Sequence, residues 1–224
     1  MKFILPLLPL VALVGCASLS SYQEAKVLPT GQGQFSMGVT GYTDDLTRSG
    51  FLLDSTGHDF KLLEVGGRVG VWKNLDLGVK YTLIGAVNLD AKYQLLGTDT
   101  GSVFQVSSGL KGGYANIEVT VNGKKTEAPV YDLIVPVYAS YTPTDWLALT
   151  LAPQFSYRIS DNEFEYPAGP IAGANFDMRL GSSYGIIGEF GYHRHLDKDY
   201  ALMNYGAMFY MPVNLETVVG MVGL

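Results

Sequence analysis

The side chains that could carry out chemistry in this sequence are few: one cysteine, Cys16, and three histidines, His58, His193 and His195. A single cysteine cannot form an internal disulfide, so Cys16 is incidental, reactive or modified. Nucleophilic catalysis needs a serine within hydrogen-bond reach of an oriented base, and no spacing in the sequence specifies that pair. A structural zinc site needs about four ligands, and the two neighbouring histidines supply only two. We therefore predict no enzyme activity, no metal site and no cofactor.

An apolar stretch precedes Cys16. It runs from residue 3 to residue 14 after one lysine, and it has the charge and length of a secretory signal peptide. The stretch is shorter than the roughly 20 residues that a membrane-spanning helix needs. Its two prolines, Pro6 and Pro9, each remove a backbone donor from a helix. We therefore predict that residues 1–15 are a cleaved signal peptide.

The four residues Leu13-Val14-Gly15-Cys16 resemble the lipobox of bacterial lipoproteins, in which a hydrophobic residue and two small ones precede a cysteine. In that family the cysteine is lipidated and becomes the mature N-terminus. The next residue here is Ala17, not the aspartate that tends to retain such proteins at the inner membrane. The resemblance implies a lipid such as palmitate on Cys16 and export to the bacterial outer membrane.

The composition favours a β-protein. The chain of 224 residues has 27 glycines and 15 tyrosines, and only 16% of its residues are charged. These features are typical of strands joined by many turns, and no apolar run is long enough for a membrane helix. The net charge of −6 argues against nucleic acid as a partner, because neutralising phosphates requires a basic surface.

The chain divides into four parts. Residues 1–15 are the signal peptide. Residues 16–33 are polar and contain Pro29, Gly31 and Gly33, so we predict a lipidated tether there. From residue 34 onward apolar and polar residues alternate, so residues 34–212 are predicted to form one β-barrel. Residues 213–224 are a C-terminal tail or an extra strand.

The alternation predicts ten strands. In one of them Leu147, Leu149 and Leu151 alternate with smaller or polar residues. The predicted strands are 35–42, 61–72, 75–83, 89–95, 104–111, 132–141, 147–158, 176–180, 186–193 and 201–211.

The predicted connections are tight on one side of the sheet and mostly long on the other. The long ones are expected at 43–59, 116–129 and 159–174. The longer runs have about 10 to 12 residues, which suits tilted strands that cross a bilayer. The layout resembles that of outer-membrane barrels, which have short periplasmic turns and longer external loops. An even strand count returns both termini to the periplasmic side, where a lipid on Cys16 would enter the inner leaflet.

The polar face of the strands carries six acidic and six basic residues. A narrow lumen must pair its charges, because an unpaired buried charge costs several kcal/mol. We therefore predict a charge network inside a closed up-and-down antiparallel transmembrane barrel of about ten strands. The network residues are Glu64, Arg68, Asp76, Lys80, Asp90, Lys92, Lys111, Asp132, Arg158, Asp177, Arg179 and Glu189.

The residues from Asn204 to Met211 resemble the assembly signal in the last strand of outer-membrane barrels: a polar residue, then glycine, an aromatic and a hydrophobic residue at fixed spacing. Such proteins usually end at this signal, whereas this chain continues to Leu224. The resemblance implies a small outer-membrane β-barrel lipoprotein.

The function predicted from these features is a structural or interaction role through external loops, with a lumen that conducts little because its own charges fill it. The expected partners are outer-membrane lipids and an envelope protein. The main alternative is a lipid-anchored lipocalin-like binder of a small ligand, which would turn the apolar face inward. Two further alternatives are a narrow pore and a lipid-modifying hydrolase that would use His193 and His195. Acidic residues in two loops could hold a hard cation, but their spacing is not that of a calcium site.

Overall fold

Ten antiparallel strands account for most of the computed structural model, which describes residues 19–44, 60–83, 85–98, 101–121, 124–160, 168–199 and 201–214. The strands are β1 (Gln32–Asp44), β2 (Phe60–Trp72), β3 (Leu75–Thr82), β4 (Val87–Leu96), β5 (Phe104–Val121), β6 (Lys124–Thr144), β7 (Leu147–Ser160), β8 (Gly169–Gly181), β9 (Gly185–His195) and β10 (Ala201–Asn214). No helix among these residues is long and apolar enough to cross a membrane.

The strands close into a barrel. Each strand pairs with its sequence neighbours, and β1 pairs with β10 from Gln32 opposite Asn214 to Asp44 opposite Leu202. Closure leaves no unpaired sheet edge in the wall. The prediction of an all-β, closed, up-and-down antiparallel barrel of ten strands is confirmed. The segment that resembles the assembly signal lies within β10, the strand that closes the barrel.

The wall of the barrel has apolar side chains outside and polar side chains inside. In β7, Leu151, Phe155 and Tyr157 are about half exposed, whereas Thr150 and Gln154 at the alternate positions are buried. The same alternation runs along the other strands. This polarity is the opposite of that of a lipocalin, so the apolar-inward alternative is wrong for this chain. An outward apolar band matches a barrel surrounded by lipid.

Exposed aromatic side chains form a girdle at each end of this band. Between Tyr131 and Tyr141 of β6 the strand advances roughly 33 Å, which at a tilt of about 40° gives a height of about 25 Å, the apolar height of an outer-membrane barrel. The girdle at the short-turn end contains Trp72, Tyr93, Phe104, Tyr141, Trp146 and Tyr184, and the other contains Tyr114, Tyr131, Tyr157 and Tyr192.

One predicted loop is a β-hairpin. The sequence predicts a long connection at 116–129, but β5 runs on to Val121 and β6 begins at Lys124. The pairing continues from Tyr114 opposite Tyr131 to Val121 opposite Lys124, beyond the ends of the neighbouring strands. The sequence in between is Asn122-Gly123, a dipeptide typical of two-residue hairpins, which the prediction overlooked.

The tether predicted at 16–33 is wrong for the residues that the structure describes. Residues 19–31, called the inner segment below, run through the lumen to the short-turn end of the barrel, and β1 begins at Gln32. The chain reverses at the short-turn end, where Gln32 N donates to Pro29 O at 3.0 Å and Gly31 has a φ of 81°. Glycine adopts this left-handed conformation without strain. Gly31 N also donates to Gly70 O of β2 at 2.8 Å.

Several predicted features lie outside the described residues. They are the signal peptide, Cys16, His58, the C-terminal residues 215–224 and most of the acidic loop residues.

Candidate functional site: the charged lumen and its inner segment

All twelve predicted network residues have their side chains inside the barrel. Ten of these residues are between 0% and 9% exposed, and the side chains of the other two, Arg68 and Asp90, are 9% and 10% exposed. The alternation of each strand directs them inward, because successive side chains point to opposite faces.

Arg68 forms the centre of one group of charges. Its guanidinium makes ion pairs with both Asp76 and Asp90, so two carboxylates share one cation. Lys92 Nζ lies 3.6 Å from Asp76 Oδ2. Gly78 leaves the space that this arrangement needs, because a Cβ there would collide with the Arg68 guanidinium and with the Asp90 carboxylate.

Arg158 and Asp132 form a second group across β6 and β7. Arg158 Nε donates to Asp132 Oδ1 at 2.8 Å, and its second nitrogen donates to Oδ2 at 2.9 Å. Both side chains are buried. Two parallel charge-assisted bonds fix the geometry of this pair and offset the loss of water from both ions.

A third group binds the start of the inner segment. Lys80 Nζ lies 3.4 Å from Glu64 Oε2 and donates to Ser20 O at 2.8 Å. Lys111 Nζ also donates to Ser20 O, at 3.0 Å. Ser20 Oγ donates to Glu64 Oε2 at 2.9 Å. Two lysines therefore converge on one main-chain carbonyl group.

A fourth group consists of two carboxylates. Glu189 accepts hydrogen bonds from the backbone N–H groups of Ser21 and Tyr22. Ser21 Oγ lies 2.8 Å from Glu189 Oε2 and 2.6 Å from Asp177 Oδ2. Asn204 Nδ2 donates to the other oxygen of Glu189. Successive N–H groups that point at one oxygen suit an anion, so the backbone of the inner segment compensates the charge of Glu189.

The rest of the inner segment is bound in the same way. Lys92 Nζ donates to two carbonyl groups, Glu24 O at 2.8 Å and Lys26 O at 3.0 Å. Other backbone N–H groups of this part donate from Ala25 to Ser140 Oγ at 2.7 Å, from Val27 to Gln94 Oε1 at 3.1 Å and from Leu28 to Asp76 Oδ2 at 3.2 Å. The Arg179 guanidinium makes an ion pair with the Glu24 side chain.

His193 orients two amides that bind the inner segment. Its Nε2 lies 3.0 Å from the Oδ1 atoms of both Asn175 and Asn204, and its Nδ1 lies 3.3 Å from Gln154 Nε2. Nε2 therefore donates and Nδ1 accepts. Asn175 Nδ2 and Gln154 Nε2 in turn donate to Leu19 O at 3.0 and 3.1 Å.

The hydrolase alternative needs an outward, lipid-facing histidine beside a serine. His193 points into the lumen and contacts amides, so that geometry is absent there. His195 accepts hydrogen bonds at Nδ1 from the backbone of Asp197 and Lys198, both at 3.1 Å, and thereby supports the β9–β10 turn. In the parts of the chain that the structure describes, no three histidine or carboxylate side chains are grouped to hold a metal ion.

The inner segment was not predicted from the sequence as part of this site. A signal was present in the strands: many inward positions carry small side chains, which leave volume unfilled. These positions include Ser107, Ser140, Ala148, Ala152 and Ser156. Ten strands with such a lining enclose space for a further length of chain.

The closed ten-stranded wall, its outward apolar band and its charged lumen define a transmembrane β-barrel of the outer-membrane type. No protein-family model matches the chain, and no curated protein matches it in sequence.

Solved structures with similar folds are outer-membrane and surface proteins. Neisserial surface protein A is 13% identical, with 80% of this chain and 95% of that one covered and a TM-score of 0.34. The Yersinia pestis outer membrane protein Ail is 11% identical over 81% and 99% of the two chains, with a TM-score of 0.39. An outer membrane channel from Pseudomonas putida F1 is 10% identical over 84% and 98%, with a TM-score of 0.47. These identities and TM-scores are low, so the class of this protein rests on its own strands, apolar band and charged lumen.

Breaking the buried pair of Arg158 and Asp132 should destabilise the barrel strongly. The substitution Arg158→Met leaves a buried carboxylate without its main partner, and we expect a loss of about 3–5 kcal/mol in the free energy of unfolding. Adding Asp132→Leu should recover much of this loss, because no unpaired charge remains. Urea unfolding in lipid vesicles, followed by tryptophan fluorescence, measures both.

The exposed Lys73 in the β2–β3 turn supplies the control. Lys73→Met should change the free energy of unfolding by less than about 0.5 kcal/mol. A double variant as unstable as Arg158→Met would contradict the assignment of the cost to an unpaired charge.

Proposed function

We propose that the protein is an outer-membrane lipoprotein whose β-barrel is closed by its own inner segment and which has a structural or interaction role through its external loops. Its partners in this proposal are outer-membrane lipids and an envelope protein that the loops bind. The protein acts neither as an open pore nor as an enzyme.

The binding of the inner segment across the lumen carries this proposal. Side chains from every strand from β1 to β9 make hydrogen bonds to it. Beside Tyr22, one cavity between the segment and the wall has a volume of about 40 Å³, enough for about three water molecules, and a larger cavity of about 570 Å³ lies towards the short-turn mouth. Barrels of about eight strands fill their interior with side chains, and open channels need about 16 strands. A ten-stranded barrel that also contains a length of chain has little room to conduct.

The β5–β6 hairpin supports an external interaction role. Its paired residues beyond Tyr114 and Val130 extend past β4 and β7, so the backbone there has no neighbouring strand in the wall. Seven residues of strand, from Ala115 to Val121, advance roughly 23 Å. The hairpin is therefore the described element that reaches furthest from the barrel at the long-connection end.

We expect the purified full chain to form no steady channels in planar lipid bilayers. The inner segment and the paired charges occupy the lumen, so ions have no open path through it. Conductance recorded at both polarities measures this directly. Steady single-channel currents well above the background of the lipid would contradict a closed barrel.

Cys16→Ser should abolish incorporation of labelled palmitate without releasing the protein from the outer membrane. The reason is that the apolar band of the barrel holds the membrane independently of the lipid. Labelling, followed by alkaline carbonate washing of membranes from cells that express each form, measures both properties. Release of the Cys16→Ser protein by carbonate would contradict a membrane-spanning barrel, and labelling of that variant would contradict lipidation at Cys16.

A further inference from the structure

The lumen recognises the inner segment mainly through its backbone. The carbonyl groups of Leu19 and Ser20 accept from amide and ammonium side chains of the wall, and the N–H groups of Ser21 and Tyr22 donate to a carboxylate. Further along, Lys92 donates to two carbonyl groups. Contacts of this kind do not depend on which side chains the segment carries, so they suit an extended polypeptide in general.

The positive and negative side chains of the lumen are placed to match the direction in which the backbone of the segment runs. The carbonyl group of Ser20 faces two lysines, Lys80 and Lys111. The next two N–H groups face Glu189, which comes from the other side of the barrel. A chain running in the opposite direction would present N–H and carbonyl groups in the reverse order along the lumen. The arrangement therefore selects the direction of the bound chain as well as its extended form.

The Tyr22 side chain occupies a pocket in the wall. Its ring packs against Ile187, Met208 and Tyr210. Its hydroxyl lies 2.7 Å from Thr40 Oγ1 and donates to Val39 O at 3.2 Å. A phenylalanine would leave the buried Thr40 hydroxyl without this partner.

Two backbone features fit the chain to this pocket. A Cβ at Gly206 of β10 would collide with the Tyr22 hydroxyl, so the glycine provides the space that the hydroxyl occupies. Tyr22 has a φ of 46°, which bulky residues rarely adopt. This conformation accompanies the hydrogen bonds of two successive N–H groups to Glu189. The pocket therefore specifies a tyrosine at one position of the bound chain.

The segment also has a route into the lumen. At the short-turn mouth a cavity of about 570 Å³ adjoins it, and Gln23, Glu24 and Lys26 are among the residues that line this cavity. Pro29, Thr30 and Gly31 are exposed there.

We propose that the lumen is a binding site for an extended polypeptide with a tyrosine at one fixed position, and that residues 19–30 of the chain occupy this site as an exchangeable ligand. The proposal rests on the closed barrel described above and adds that a separate peptide of the same kind can take the place of the segment.

The test uses the mature full chain with Cys16→Ser, so that no lipid retains the fragment, and with a protease recognition sequence inserted between Thr30 and Gly31. The protein is folded and then cleaved. Gel filtration in mild detergent with mass detection then follows the N-terminal fragment. We expect the fragment to elute with the barrel after cleavage, because its contacts with the wall are non-covalent and unchanged. Elution of the fragment alone, from a barrel that keeps its heat-modifiable gel mobility, would overturn the proposal.

Exchange is measured with a fluorescent synthetic peptide that has the sequence of residues 19–30. We expect it to replace the cleaved fragment. A peptide with Tyr22→Phe should bind at least about fivefold more weakly, which corresponds to the loss of one buried hydrogen bond. A peptide with the reversed sequence and the same composition should not bind. Equal binding of the three peptides would overturn the proposal. Because these changes are made in the peptide, the folding of the barrel is unaffected.

Tyr141→Phe in the barrel is the matched control. The Tyr141 hydroxyl is on an outward side chain of the girdle that is about half exposed, away from the segment. Its removal should leave peptide affinity within about twofold, since no bond to the peptide is lost. A loss as large as that caused by Tyr22→Phe would overturn the assignment of specificity to the Tyr22 hydroxyl. The conductance of the uncleaved chain tests the closed barrel separately from these measurements.

Discussion

A buried peptide backbone must have its hydrogen bonds satisfied, and the rest of this structure depends on that constraint. The inner segment lies in the lumen as irregular chain, so it has no helix or sheet partners along most of its length. Charged and amide side chains of the wall bind its N–H and carbonyl groups instead. In return, the backbone dipoles compensate charges that would be costly inside a narrow barrel. The segment and the lumen charges therefore stabilise each other.

The wall of the barrel could be predicted from the sequence because its cause is local. Alternation in runs such as 147–158 predicts both a strand and the face that each side chain occupies, and all ten strands are confirmed. The sequence also named twelve charged residues whose side chains the structure places in the lumen. The limits of the strands were less predictable. The prediction gave residues 116–129 to a loop although they carry β5 and β6 beyond the girdle, where no membrane enforces a strict apolar period.

The inner segment could not be predicted, because its position is set by long-range contacts. Residues 19–31 have no period, and a polar stretch of that kind usually forms an exposed linker. Its burial depends on partners up to 168 residues away in sequence, such as Glu189 for Ser21. The equal numbers of acidic and basic residues on the polar face predicted that these side chains pair only with one another. In the structure, several of these side chains also bind the backbone of the segment, which accounts for lysines that converge on one carbonyl group.

The most direct test of this account is hydrogen–deuterium exchange of the backbone amides of residues 20–28 in the folded protein in lipid nanodiscs. The Ser21 and Tyr22 amides donate to a buried carboxylate, so they should exchange as slowly as the paired amides of β8 and β9. Exchange of residues 20–28 at the rate of a free peptide, while the strands stay protected, would contradict the claim that the lumen holds the segment by its backbone.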